Sequence, residues 1–407
     1  MSEQQSSSTD ARPAPRSWPA RVRDLWLRWP VGDRFLWLVV TVAFGVSYLA
    51  AIRYRTVFTP DSAYYVGMSL WFGGMSQEDA WRAATEIPYS FGWHPATQEQ
   101  MFGWGLVAPR VVLPLLGVPF TAAFGVFGLA VVTGIAMAAL VGVLTWTLRA
   151  RFGVVAALVP VILVTTSYLL MYFGVAMLTE SLTALWTALI MVAVWRYQDR
   201  GSRRALVMAG VLTVVLAFTR QATFVVAGAV VVAWLAALVL RQDHRKWLGP
   251  ALVVGGTALV TQVLQMVLFP GFSQAGQFMK ATGTDSLADA IRATPRLAWR
   301  ILRDDLNTFI AADRPLLTLI ALATVGALLA WRKSSAHLLV GALIGIALYN
   351  YTNGTSSQFR YAMPGLVFFV VAAAELITRV SPLVARPGRQ EPDQAPDQAL
   401  PQGTPTT

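Results

Sequence analysis

The chain has 407 residues, of which 56% are hydrophobic and 13% are charged, and its mean hydropathy is +0.54. Because a soluble domain of this length needs far more charged surface, the composition excludes one and predicts a helical protein that crosses a membrane several times. Cysteine is absent, which excludes disulfide bonds, a thiolate nucleophile and a cysteine-based metal site. The formal net charge of +11 is compatible with nucleic acid or anionic lipid, and its distribution along the chain decides between them.

Ten apolar runs reach or approach the length of about 20 residues that crosses a bilayer. We place these spans at 34–52, 120–148, 153–173, 180–196, 205–219, 221–240, 248–269, 315–331, 336–350 and 361–378. With the N-terminus in the cytoplasm, most of the 32 Lys and Arg residues fall on the inner side, while the acidic residues divide about evenly. This asymmetry follows the positive-inside rule, so both termini are predicted to be cytoplasmic. The basic balance therefore reflects topology, and no nucleic acid partner is predicted.

The composition divides the chain into three parts. Residues 1–33 and 381–407 are poor in long apolar runs and rich in Pro, and we predict them to be disordered cytoplasmic tails. Residues 34–380 are predicted to form a single all-α transmembrane domain. The scarcity of Lys beside abundant Arg, Ala, Val and Gly is typical of a GC-rich bacterial genome, which suggests a bacterial cytoplasmic membrane.

The first outer loop, about 53–119, is long enough to have structure of its own. Its second half is apolar but contains prolines at 109, 114 and 119. Proline removes helix hydrogen bonds, and irregular backbone at membrane depth must be covered by protein or water. We therefore predict a broken or interfacial element in this loop.

The fourth outer loop, about 270–314, is also long, and its later part has a helical pattern. Four arginines share one face of that helix, at positions 292, 296, 300 and 303. Apolar residues lie between them, which predicts an amphipathic helix at the membrane interface. We interpret the arginine stripe as a surface that faces solvent or lipid.

Ionisable residues recur at one edge of the apolar spans, on the predicted outer side. They are Asp61 in TPDSAYY, His94 in GWHPATQ, Glu180 in MLTES, Arg220 in AFTRQAT and the pair Arg360 and Tyr361 in SQFRYAMP. Holding an ionisable group beside the hydrocarbon core costs free energy. A set of such groups at one depth is therefore a functional-site hypothesis.

The two carboxylates in this set each have a structural and a chemical interpretation. Asp61 follows Pro60, and it either caps the next helix or serves as a general base, a metal ligand or the partner of an arginine. Glu180 either complements the dipole of a helix in its first turn or belongs to the site. Without a second histidine or a tight carboxylate pair no metal site is predicted, and a divalent cation at a carboxylate cluster with Glu180 stays open.

The cations also have two interpretations each. Arg220 lies in a tight turn between two spans, and it either reaches lipid phosphate or points into a cavity. Arg360 either binds phosphate oxygens through its planar fork or joins Tyr361 as an interfacial anchor. Lys280 is a lone outer lysine suited to bind a phosphate as a point charge, and Arg110 is a candidate positioning residue in the broken element.

Three further candidates belong to the first outer loop. Tyr64 and Tyr65 directly follow the Asp61 motif and are candidate substrate-binding residues. His94 precedes a proline, and a lone histidine in a loop is more often structural than a ligand. We keep all three as candidates because they share the predicted outer side with the carboxylates and arginines.

In their order and shared sidedness, these motifs resemble the GT-C superfamily of integral-membrane glycosyltransferases, which use sugars linked to polyprenyl phosphate. The matching features are the Asp after the first span, the later His-Pro, the TES at the fourth span, the turn Arg and the Arg-Tyr-x-x-Pro at the last span. The resemblance covers about 34–378 and is nearest to the protein O-mannosyltransferase-like and lipid-A aminoarabinose-transferase-like branches. Many relatives have Asp-Glu where this chain has Asp61-Ser62.

The resemblance implies a role for several residues. Asp61 would be the base that activates the acceptor, Arg220 and Arg360 would hold the donor phosphate, and Glu180 and Tyr361 would shape the pocket. The implied partners are a polyprenyl-phosphate-linked sugar donor, a cell-envelope acceptor (glycan, glycolipid or protein) and membrane lipids. The implied reaction is a transfer at the outer face of the membrane that inverts the anomeric carbon.

Two other classes of protein remain as alternatives. A transporter or lipid flippase would place its polar groups near the middle of the membrane, often at broken helices. A non-catalytic scaffold would leave Asp61, Arg220 and Arg360 apart in space. The predicted spans are apolar at their centres and the ionisable residues crowd one edge, which favours the enzyme.

Overall fold

The computed structural model describes residues 30–269 and 273–380. Within these ranges the chain is mainly helical and has no strand, so the predicted all-α class is confirmed. The tails predicted at 1–33 and 381–407 fall outside the described residues, apart from residues 30–33. Residues 31–33 belong to the first helix, so that helix begins three residues before the predicted boundary.

The helices of the described residues are numbered in chain order. The first nine are α1 (Val31–Tyr54), α2 (Ser62–Phe72), α3 (Gln77–Ser90), α4 (Gln98–Gly103), α5 (Val112–Phe124), α6 (Gly128–Phe152), α7 (Val154–Thr166), α8 (Tyr168–Val175) and α9 (Glu180–Arg200). The others are α10 (Arg203–Thr219), α11 (Thr223–Val239), α12 (Arg245–Pro250), α13 (Gly256–Leu268), α14 (Gln274–Thr282), α15 (Leu287–Ala312), α16 (Arg314–Leu329), α17 (Ser334–Asn353) and α18 (Leu366–Val380). A π-helical turn, Ala251–Gly255, joins α12 to α13, and a 3₁₀ turn, Arg360–Gly365, leads into α18.

Each of the ten predicted spans is helical, but a ten-span bundle is not confirmed. Five stretches of the described residues are long and apolar enough to cross a membrane, namely Val31–Tyr54, Val112–Phe152, Arg245–Leu268, Ser334–Asn353 and Arg360–Val380. The bent pair α7 and α8 adds a sixth if it is one span. The apolar helices α11 and α16 have only 17 and 16 residues. At about 1.5 Å per residue such helices fall short of a hydrocarbon core of about 30 Å.

The predicted span 153–173 is bent, and a buried aspartate explains how the bend is satisfied. α7 and α8 meet at 69° around Ser167. Asp313 Oδ2 accepts hydrogen bonds from Ser167 Oγ at 2.6 Å and from the Leu169 amide at 2.7 Å. Asp313 also caps α16 by accepting from the Leu316 amide at 3.0 Å. One carboxylate therefore pairs backbone and hydroxyl groups that the bend would otherwise leave unpaired.

The proline-rich part of the first outer loop forms a helix of its own. α5 begins at Val112, contains Pro119 and ends at Phe124, and its C-cap residue is Gly125, whose φ of +63° is readily adopted only by glycine. There the chain folds back, as the packing of Gly117 of α5 against Leu129 of α6 shows. The predicted span 120–148 thus divides at this turn, and α6 begins at Gly128. The expected break is present, but it lies at Gly125, after Pro119, and its residues are largely exposed.

Close glycine contacts join α11 to α17. A Cβ atom on Gly341 would overlap the carbonyl oxygen of Gly228, and one on Gly345 would overlap the carbonyl oxygen of Phe224. Glycines four residues apart let two backbones approach closely in a membrane, where packing replaces the hydrophobic effect. This contact fixes the C-terminal end of α17 beside the N-terminal end of α11.

The amphipathic helix predicted in the fourth outer loop is present as α15. Its apolar face buries Leu297, Ile301 and Phe309, while the arginine stripe lies on the exposed side. Asp305 of this helix accepts hydrogen bonds from Ser356 Oγ and from the Gln358 amide at 2.9 Å. Burial raises the pKa of the Asp305 carboxyl above its ordinary value. α15 thus holds the loop that precedes Arg360.

Candidate functional site

Asp61 occupies the N-cap position of α2 but does not cap it. No hydrogen bond joins its side chain to the first turn of that helix. The adjacent Thr59 amide instead donates to Ser62 Oγ at 2.9 Å. The Asp61 carboxylate turns away from its own helix and accepts a hydrogen bond from Arg360 Nη2 on its Oδ2 atom at 2.6 Å. Of the roles drawn from sequence, the N-cap is not observed and the pairing with an arginine is.

Glu180 begins α9 and lies between two arginines. Its side chain is 1% exposed, and Oε1 accepts hydrogen bonds from Arg220 Nη1 and Arg360 Nε. A hydrogen bond from the Met177 amide to the Val57 carbonyl, 2.9 Å long, ties the segment before Glu180 to the segment before Asp61. The carboxylates of residues 61 and 180 therefore meet on one guanidinium, that of Arg360.

Arg220 points inward rather than toward lipid phosphate. It follows α10 directly, and its side chain is 2% exposed. Besides Glu180 it donates to Thr179 Oγ1 at 3.2 Å and, through Nε, to the hydroxyl of Tyr349. No hydrogen-bond partner of its Nη2 atom lies among the described residues. One edge of this guanidinium is thus available to a ligand.

Arg360 and Tyr361 are presented by a turn with unusual backbone geometry. Gln358 and Phe359 have φ values of +52° and +71°, a left-handed conformation that costs free energy in residues other than glycine. The Tyr361 ring centroid lies 5.0 Å from the Arg220 guanidinium carbon. The Tyr349 and Tyr361 rings pack edge to face, with their centroids 5.1 Å apart. The Arg220 guanidinium therefore lies beside two tyrosine rings, those of Tyr349 and Tyr361.

A second buried arginine, Arg110, belongs to the same region. Its Nη1 atom donates to the Tyr65 hydroxyl at 2.9 Å, and its Nε atom donates to Gln221 Oε1 at 3.2 Å. Gln221 in turn donates to the Leu106 carbonyl at 3.3 Å. Arg110 is therefore held in place by residues from α2 and from the turn that carries Arg220.

These groups surround one cavity of about 520 Å³, within the range that small-molecule sites occupy. Seven of the residues predicted from sequence line it, namely Asp61, Tyr64, Tyr65, Arg110, Arg220, Lys280 and Tyr361. Glu180 and Arg360 lie directly behind this lining through their ion pairs. Asp61, Arg220 and Arg360 therefore converge in space, whereas the scaffold alternative predicted them apart.

His94 is the predicted site residue that the structure leaves apart. It is exposed in the turn between α3 and α4 and is not among the residues that line the cavity.

Sequence reasoning missed several residues of the cavity. Arg300 lines it and donates to the Gly354 carbonyl at 3.1 Å, so this exposed arginine, interpreted from sequence only as part of a surface that faces solvent or lipid, also reaches the cavity. Gln277, Trp104 and Asn353 also line it. The four-arginine stripe was visible in the sequence, but its position over the Asp61 region depends on how α14 and α15 fold over α17. No local pattern carries that information.

The electrostatic balance of the site is positive. Five cations, Arg110, Arg220, Lys280, Arg300 and Arg360, surround two carboxylates, Asp61 and Glu180, which gives a formal charge of +3. Among the described residues no group of three or more His, Asp or Glu side chains is arranged to hold a metal ion. The arrangement is suited to bind an anion, most strongly one with several oxygens such as phosphate.

Aromatic residues form one wall beside Asp61. The rings of Tyr64 and Trp104 have centroids 5.4 Å apart, and both line the cavity. Burial and, secondarily, the nearby Asp61 charge raise the pKa of the Tyr64 phenol. Tyr64 therefore remains a neutral hydrogen-bond donor at neutral pH.

Comparisons of the chain with protein-family models, with curated proteins and with solved structures find no significant match.

Proposed function

We propose that this chain is a membrane glycosyltransferase of the GT-C type that moves a sugar from a polyprenyl-phosphate donor to a cell-envelope acceptor. The observation that carries the proposal is the convergence of one partly accessible carboxylate with several arginines around a single net-positive cavity. The apolar helices support a membrane setting, which a lipid-linked donor requires.

The cations of the cavity suit the phosphate of the donor. Arg220 Nη2 and Arg360 Nη1 have no hydrogen-bond partner among residues 30–269 and 273–380, so both can donate to phosphate oxygens. Lys280 of α14 and Arg300 of α15 add two further cations to the lining of the cavity. Negative charge grows on the leaving phosphate during transfer, and fixed cations there lower the barrier.

Asp61 is the group suited to act as general base. Its side chain is 46% exposed, and only Oδ2 is engaged by Arg360, which leaves Oδ1 facing the cavity. The acceptor hydroxyl loses its proton to Asp61 as its oxygen forms a bond to the anomeric carbon. The bond from that carbon to the phosphate oxygen breaks, and polyprenyl phosphate leaves. A single displacement of this kind inverts the anomeric carbon.

The aromatic wall suits the sugar itself. Tyr64 and Trp104 offer apolar ring faces next to Asp61, and the Tyr64 hydroxyl can donate to a sugar oxygen. Asn353 and Gln277 add neutral hydrogen-bonding groups to the lining of the cavity. The sugar would thus lie between the aromatic wall and the arginines, with its anomeric carbon near residue 61.

The orientation in the membrane is part of the proposal. We place the cavity at the outer face of a bacterial cytoplasmic membrane, with ten spans and both termini inside. Basic residues concentrated at the opposite ends of the helices support this orientation through the positive-inside rule. The donor's isoprenoid tail would remain in the bilayer, so the cavity would be reached from the side.

A transporter or flippase is the alternative class, and the position of the charges argues against it. Asp61 precedes α2, Glu180 begins α9, Arg220 follows α10 and Arg360 follows α17. These groups therefore stand at helix ends, whereas alternating access places substrate groups near the middle of the spans.

Deletion of the gene tests the proposal in the cell. Envelope glycans of the deletion strain, analysed by mass spectrometry, should lack a sugar that the parent strain contains. Wild-type protein and the Asp285→Asn variant should restore it, because Asp285 is an exposed carboxylate in the loop before α15. Asp61→Asn at equal membrane abundance should not. An unchanged glycan profile in the deletion strain, or restoration by Asp61→Asn, would refute the proposal.

A further inference from the structure

A second cavity lies at the opposite end of the helices from Asp61. It has a volume of about 640 Å³ and is formed where α6, α9 and α18 end and α17 begins. Its charged lining consists of Arg151, Arg196, Arg200, Lys333, Asp199 and Glu375. Nothing in the proposed transfer reaction uses this cavity.

The lining keeps an excess of positive charge after its own ion pairs are counted. Asp199 accepts from Arg151 at 2.8 Å, and Glu375 lies 3.9 Å from Lys333 Nζ. Arg196 and Arg200 are exposed, and neither has an ion-pair partner among the described residues. Two arginines on one face of α9, four residues apart, are therefore available to an anion.

Two buried hydroxyl groups in the same lining lack partners. Thr147 and Ser335 are each 7% exposed, and both line the cavity. Neither Thr147 Oγ1 nor Ser335 Oγ has a hydrogen-bond partner within the described residues. A buried hydroxyl without a partner costs free energy, so each such group calls for an explanation. Both oxygens are shielded from solvent, and rotation of either short side chain toward a ligand in the cavity would supply one.

The start of α17 adds a third kind of anion-binding group. Ser335 lies in the first turn of this 20-residue helix, and no side chain caps its N-terminus. Unpaired amides and the positive end of the dipole at such a terminus favour a negatively charged ligand. Arginines, hydroxyl groups and a helix N-terminus thus converge on one cavity.

We propose that this cavity binds the phosphate group of an anionic ligand, with the head group of an anionic membrane lipid as the source that its position favours. Trp146 lines the cavity with 52% of its surface exposed, and Trp195 packs under Arg151 at 4.5 Å. Tryptophan is common at the level of lipid head groups, and basic pockets between helices on the cytoplasmic side suit anionic head groups. A bound lipid would clamp α6, α9 and α17 together.

Native mass spectrometry of the full chain in detergent tests the proposal. The probes are phosphatidylglycerol, zwitterionic phosphatidylcholine and inorganic phosphate. Phosphatidylglycerol should bind the wild-type protein more tightly than phosphatidylcholine does. The double variant Arg196→Gln with Arg200→Gln should weaken that binding by about fivefold for each arginine removed. The control variant, Arg241→Gln with Arg245→Gln, removes two exposed arginines outside the cavity lining and should bind as wild type.

Ser335→Ala separates binding from folding. The change removes a buried hydroxyl without a partner, so the lipid-free protein should unfold at the same or a higher temperature. The stabilisation that phosphatidylglycerol provides should nevertheless shrink. Competition by millimolar inorganic phosphate would assign the site to a soluble anion, and its absence would assign the site to the lipid. Equal phosphatidylglycerol binding by all variants, or no preference over phosphatidylcholine and no phosphate binding, would overturn the proposal.

Discussion

Arg220 is joined to Glu180 where both side chains are almost fully excluded from solvent. Arg220→Ala would leave Glu180 with a single cationic partner in a buried setting, so we expect a loss of about 3–5 kcal/mol in unfolding free energy. Arg82→Ala is the matched control, because Arg82 and Glu78 are 66% and 59% exposed and such pairs contribute about 0–1 kcal/mol. Unfolding in detergent, followed by tryptophan fluorescence, measures both. Equal small losses would contradict the structural role of Arg220.

Asp305 makes stability depend on pH in a defined direction. Because burial raises its pKa in the folded state, folding favours the protonated carboxyl. The contribution of this group is therefore fully present below its unfolded pKa and is lost as the pH rises through the folded pKa. We expect Asp305→Asn to be more stable than the wild type at pH 7, with the difference shrinking toward about pH 4. Thermal unfolding at both pH values tests this, with Asp285→Asn as the exposed control, and a difference that grows on acidification would contradict it.

The sequence allowed all four residues of the ion pairs in the site to be predicted, but not the neutral residues that accept hydrogen bonds from its arginines. Asp61, Glu180, Arg220 and Arg360 stand out because charge beside apolar spans is costly. Tyr349 and Gln221 do not stand out, since a tyrosine or glutamine at a helix end is ordinary. Their roles depend on the approach of α11 to α17, which only the folded chain defines.

At the level of elements, the contact between α11 and α17 controls the geometry of the cavity. α17 carries Tyr349, which accepts a hydrogen bond from Arg220. Gly341→Ala would place a methyl group onto the Gly228 carbonyl and force the two helices apart. We expect lower thermal stability and impaired function of the cavity, measured as loss of polyprenyl-phosphate binding.

Gly142→Ala is the control for that prediction. Gly142 lies within α6, and no atom lies within 4 Å of the position that a Cβ atom would take. Since alanine favours a helix over glycine by about 1 kcal/mol, this change should be neutral or stabilising. If Gly341→Ala behaved like Gly142→Ala, close packing of the two helices would not be what positions Tyr349.

Helix positions were easier to predict than their breaks. Hydrophobic runs predicted where helices lie, because apolar length is a local property. The bend at Ser167 and the turn at Gly125 were not predicted, since the first depends on Asp313 and the second on packing of α5 against α6. Prolines in the first outer loop did indicate a break, but not the helix that contains them.

At the scale of the whole molecule, the two cavities are expected to lie on opposite sides of the membrane. Because the natural chain has no cysteine, a single introduced cysteine is the only thiol of the protein that can be labelled. Its labelling shows on which side of the membrane that position lies. Asp285→Cys, near the Asp61 cavity, should react with a membrane-impermeant maleimide in intact cells. Arg245→Cys, at the other end of the helices, should react only after permeabilisation. Labelling of both from the same side would contradict the proposed topology.

The rate of sugar transfer by the Asp61→Asn variant tests the central claim most directly. Purified full chain in lipid vesicles would be given a panel of polyprenyl-phosphate-linked hexoses and pentoses with envelope acceptors, and the label transferred would be measured. We predict transfer by the wild type and by Asp285→Asn, and a fall of about 100-fold or more for Asp61→Asn, the range expected for loss of a general base. Full activity of Asp61→Asn, or no transfer from any donor of the panel by the wild type, would contradict the account.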